Sequence, residues 1–109
     1  MSNGYHPTDR FSIPADVRAR ALDDEIVLLD LRAGEYFSLN AAGAAVWAAL
    51  ERGDDLGTVH REMASRWPVE SGERWRMIVE LVGDLSSRGL IRRDAFPGPF
   101  PKEAGEPTG

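Results

Sequence analysis

The stretch from Glu25 to Leu50, EIVLLDLRAGEYFSLNAAGAAVWAAL, constrains the fold more than any other part of the chain. Ile26–Leu29 is a continuous Ile/Val/Leu run of strand length. Gly34 supplies the turn, because glycine alone reaches positive φ without a Cβ clash. Glu35–Leu39 reads as the return strand, with Tyr36 and Ser38 on one face and Phe37 and Leu39 on the other. Asn40 is a good helix N-cap. Val46, Trp47 and Leu50 then recur at helical spacing. No residue in the stretch offers obvious acid–base or nucleophilic chemistry. It specifies a small sheet with a helix laid on it.

The flanking sequence extends this plan in both directions. Val17–Leu22 alternates as a strand whose charged residues, Arg18 and Arg20, suit an edge. Asp23-Asp24 is its turn. The first helix spans about Ala41 to Arg52 and ends at Gly53. A second, about Leu56–Trp67, follows the acidic pair Asp54-Asp55 and stops before Pro68. A third, about Gly72–Arg88 with Ser71 as its cap, ends at Gly89. The fold class is therefore α+β, a three-stranded antiparallel sheet followed by three helices. Met1–Ser12 is polar and aperiodic and reads as a flexible N-terminal arm. The domain proper is 13–94. Ala95–Gly109 holds four of the seven prolines and three of the eleven glycines, and reads as a disordered tail.

The third helix is more apolar than one buried stripe requires. Ile78, Leu81, Val82 and Leu85 make one face at i, i+3, i+4, i+7. Trp75, Val79 and Val82 make a second, overlapping one. Either a three-helix cap buries both, or the second face contacts something outside the core.

Composition excludes several functions. The 109 residues make one domain with a modest core. There is no Cys, so no thiolate zinc site and no cysteine nucleophile. His6 and His60 are the only histidines and do not form a metal-spaced pair. The nucleophile elbow, phosphate-binding loop and dinucleotide fingerprint are absent. No cofactor, metal or catalytic residue is therefore expected. The longest apolar run, Ala41–Leu50, is ten residues, against roughly 20 for a membrane span. No signal peptide is visible, so a cytoplasmic location without membrane contact is expected. The net charge of −5 lacks the basic footprint of a nucleic-acid binder. A winged-helix DNA-binding reading, with Arg61 and Arg66 on phosphates, is the rival and carries that objection.

The pattern LLDL-x-x-G-x-Y-x-x-LN-x-x-G-x-x-x-W, carried by Leu28 to Leu31, Gly34, Tyr36, Leu39, Asn40, Gly43 and Trp47, resembles the PqqD-like recognition domains of ribosomal peptide biosynthesis. Leu85, Gly89 and Leu90 resemble the family's closing helix. Ile13-Pro14 and Asp16-Val17 are similar to the stand-alone lasso-peptide members. Asp30-Leu31 stands where the pyrroloquinoline quinone branch usually has Pro-Glu. The resemblance covers about Ile13 to Arg93. It implies a winged-helix-like arrangement in which a precursor's leader peptide adds as a strand between the third strand and the third helix. A separate transglutaminase-like leader peptidase, and then a cyclase, would process the precursor. In the quinone setting the partner would be a radical enzyme instead. On this reading Tyr36, Phe37 and Ser38 form the docking edge and Trp75, Val79 and Val82 wall the groove. Arg74 and Arg76 would steer an acidic leader.

Overall fold

The computed structural model describes residues 4–94. The elements run β1 (Phe11–Ser12), β2 (Val17–Leu22), β3 (Glu25–Asp30), β4 (Glu35–Leu39), α1 (Ala41–Glu51), α2 (Leu56–Glu62), α3 (Ser71–Ser87) and β5 (Arg92–Arg93). β2, β3 and β4 form an antiparallel sheet in that order, with β3 central. The tail expected at 95–109 lies outside the described residues.

Two turns set the register. At the β2–β3 corner Asp23 takes φ +60, a conformation short polar side chains tolerate. Leu22 then pairs with Glu25. At the β3–β4 corner Gly34, at φ +72, donates its N–H to Asp30 O at 2.8 Å. Asp30 is buried, and its Oδ1 accepts from the N–H groups of Arg32 and Ala33 at 3.1 and 3.2 Å. A buried carboxylate is tolerated where backbone donors meet it. Leu28 therefore lies opposite Phe37, and Ile26 opposite Leu39.

These four side chains share the sheet face that the helices cover. Leu28, Trp47, Leu50, Leu56, Ile78, Val82, Leu85 and Leu90 retain essentially no exposed surface. Each such burial contributes about 1.5–3 kcal/mol. Asn40 caps α1, its side chain accepting from Gly43 N at 2.9 Å. A Cβ on Gly43 would stand 3.2 Å from Leu39 Cβ, so glycine lets α1 start hard against the end of β4.

The structure departs from the sequence reading in four places. First, α2 is shorter than expected. It ends at Glu62, and Met63 to Arg66 continue as turns. Second, Ser71 opens α3 rather than capping it. Glu70 holds the cap position without a side-chain hydrogen bond. Third, β1 and β5 are too short to carry a periodic signal, yet they pair Phe11 with Arg93 and Ser12 with Arg92.

Fourth, residues 4–12 are not an arm. Phe11 is 3% exposed and Asp9 2%. The start of α2 supplies the reason. The first N–H groups of a helix have no partner within it, and here Leu56 N donates to Asp9 O and Gly57 N to Pro7 O, at 3.0 and 2.7 Å. Asp9 accepts from His6 N at 2.9 Å and lies 3.5 Å from Arg93 Nε. Polar residues thus do structural work that an apolar pattern cannot register.

Asp55 caps α2, accepting from Thr58 N at 2.9 Å. Burial would raise its carboxyl pKa. The Thr58 backbone and hydroxyl hydrogen bonds, with Arg10 and Arg61 nearby, outweigh burial and hold it below the ordinary value of 3.8. A depressed folded-state pKa means the stabilisation is complete above that ordinary value. It is lost as pH falls through the lower folded-state value. Replacing Asp55 with Ala should cost about 1 kcal/mol at neutral pH, and the deficit should shrink below that value. Denaturant titrations of both proteins at neutral and acid pH measure it.

Candidate functional site

β4 has β3 on one side only, so its other edge pairs with no strand among the described residues. Alternate backbone N–H and C=O groups along that edge point away from the sheet. β2 is the opposite edge and carries Arg18 and Arg20, both exposed. Along β4, Tyr36 is 71% exposed, Phe37 and Leu39 are half-buried on the helix side, and Ser38 is exposed.

A groove of about 440 Å³ runs beside the second half of β4. Ser38, Leu39 and Asn40 form one side, with Gly43 at the start of α1 and Trp67 after α2. α3 forms the other side with Met77, Glu80, Leu81 and Asp84, at i, i+3, i+4 and i+7. Met77 and Leu81 are half-buried between exposed Glu80 and Asp84. One helical turn beyond Asp84, Arg88 reaches across to β4, its guanidinium carbon 4.5 Å from the centroid of the Phe37 ring.

The face of α3 that meets the groove is not the one the sequence suggests. Val82 has no exposed surface and Val79 has 7%. Trp75 packs edge-on against His60 of α2, with centroids 5.7 Å apart at 78°. Trp75, Val79 and Val82 therefore belong to the covered side of α3. Leu81, which periodicity placed in the core, packs against it and also lines the groove. An i, i+3, i+4, i+7 set with apolar Met77 and Leu81 alternating with Glu80 and Asp84 marks such a lip. That mixed pattern was the available signal.

The steering arginines also have other partners. Arg74 Nη1 donates to Trp67 O and Val69 O at 3.0 and 2.8 Å, tying α3 to the turn before it. Arg76 lies between Glu73 and Glu80, at 3.8 and 3.9 Å. Of the expected docking residues, Ser38 lines the groove, and Tyr36 and Phe37 precede it on the same strand.

No set of three or more His, Cys, Asp or Glu residues among those described could hold a metal ion. No described helix is long and apolar enough to cross a membrane. The arrangement is an α+β domain with one open sheet edge beside a groove.

The chain belongs to the PqqD family: residues 25–91 match the family model described as coenzyme PQQ synthesis protein D. Two solved structures share its fold. One is TbiB1 in complex with the TbiA(beta) leader peptide, 27% identical, at a TM-score of 0.70, covering 78% of this chain and 96% of that one. The other is lasso peptide synthetase B1 complexed with the leader peptide, 30% identical, at 0.69, covering 75% and 96%. No curated protein matches the chain. The fold is thus the PqqD-like, leader-peptide-binding fold of lasso peptide B1 proteins.

Proposed function

We propose that this protein binds the leader segment of a ribosomally made precursor peptide as an added strand on β4, in a lasso-peptide pathway. The observation that carries the reading is the unpaired edge of β4 beside the groove against α3. An extended peptide completes the hydrogen bonds of such an edge, while alternate side chains enter the groove. The leader peptides bound in the two similar complexes support it.

The protein acts in the cytoplasm as a binding subunit without turnover of its own. It presents the precursor to a separate transglutaminase-like leader peptidase, with a cyclase acting afterwards. Calorimetric titration with the synthetic leader should show binding that depends weakly on salt, because main-chain hydrogen bonds dominate it. A DNA duplex should not bind, given the acidic balance. With the peptidase present, the protein should accelerate leader removal, and alone it should leave the precursor intact. Precursor cleaved by the purified protein alone would overturn the non-catalytic role.

A further inference from the structure

Between the groove and the β3–β4 turn, two arginines hold hydrogen-bond donors that no described residue uses. Arg88 spans from the end of α3 to Phe37 of β4. Its Nε donates to Asp84 Oδ1 at 3.1 Å, and its guanidinium carbon lies over the Phe37 ring. Its terminal Nη groups have no partner among the described residues. Arg32, in the turn itself, makes no side-chain hydrogen bond or ion pair among those residues. One of its Nη atoms lies so near Gly89 that a Cβ there would stand 3.2 Å away. The Arg32 guanidinium thus lies against the residue that follows Arg88. Of the nearby carboxylates, Asp84 is engaged by Arg88 Nε, and exposed Glu35 pairs with neither arginine. At the other end of α3's lip, Glu80 already faces Arg76.

We infer that Arg88, supported by Arg32, selects an acidic side chain in the peptide docked on β4. The inference rests on the peptide-docking reading above. A guanidinium stacked on an aromatic ring presents its remaining N–H groups in a fixed fork, which matches a carboxylate. Pleating sets the spacing. Phe37 and Leu39 lie on the same face of β4, and side chains on one face of an added strand recur every second residue. The acidic residue therefore stands two positions from the apolar residue seated over Leu39 and Leu81.

The test selects peptides from a random displayed library on the full-length protein, discarding those that also bind the Leu81→Asp variant. The surviving peptides should carry Asp or Glu two positions from a bulky apolar residue. Arg88→Gln should weaken their binding roughly tenfold. Arg88→Lys should retain part of it, and selection on Arg88→Glu should favour Lys or Arg at that position. Arg32→Gln, which leaves the Phe37 stack intact, should weaken binding without lowering the melting temperature. Peptides that depend on Leu81 but lack the acidic residue, or bind Arg88→Gln as well as wild type, would overturn the role of Arg88 and leave peptide docking standing. A selection that yields no Leu81-dependent peptide would overturn both.

Discussion

Replacing Leu81 with Asp should weaken leader binding by about 2–3 kcal/mol while the domain stays folded. The change sets a charge against an apolar contact in the groove, where Leu81 is only half-buried and its neighbours Glu80 and Asp84 already face water. Calorimetry with synthetic leader, and circular dichroism as the folding control, read the two quantities separately. The same substitution at Val79 makes the contrast. Val79 retains 7% of its surface, so an Asp there places an unpaired charge inside the protein and should unfold it. A folded Leu81→Asp protein with unchanged affinity would remove α3 from the docking site.

Replacing Phe11 with Ala should cost about 3–5 kcal/mol. Phe11 is 3% exposed, packs within the main core cluster, and has the Tyr5 ring 6.1 Å from its own. For a domain of this size each kcal/mol lowers the melting temperature by about 4–8 °C, so calorimetric melting should register a drop well above ten degrees. A melting temperature within a few degrees of wild type would return the N-terminal segment to the status of an arm.

The middle of the chain was legible because its signals are local and agree with one another. Gly34 fixes a turn, Asn40 a cap, and the Ile26–Leu29 run a central strand, with each choice consistent with the next. The open edge of β4 follows from that order. Two things were not legible. The N-terminal segment is held by polar contacts to residues far along the chain, such as Asp9 to Arg93 and Pro7 to Gly57, and periodicity cannot report those. The orientation of α3 was missed because its two apolar stripes share Val82. α2 meets the second stripe through Trp75 against His60, and the groove takes Met77 and Leu81 with Glu80 and Asp84, a set that neither stripe describes.

The short β1–β5 ribbon has a consequence for the order in which the molecule can be assembled. Phe11 emerges early in synthesis, but the strand that pairs with it is made only at Arg92 and Arg93. Bringing those segments together closes a loop containing nearly the whole domain, which is entropically costlier than any hairpin within it. The sheet and helices can condense from neighbouring segments while the chain is still being extended. Phe11 can meet α1 early, because β1 packs on that helix, but its strand partner lies some eighty residues away. The β1–β5 ribbon is therefore the pairing among the described strands that closes latest, over a core whose other parts are already in contact.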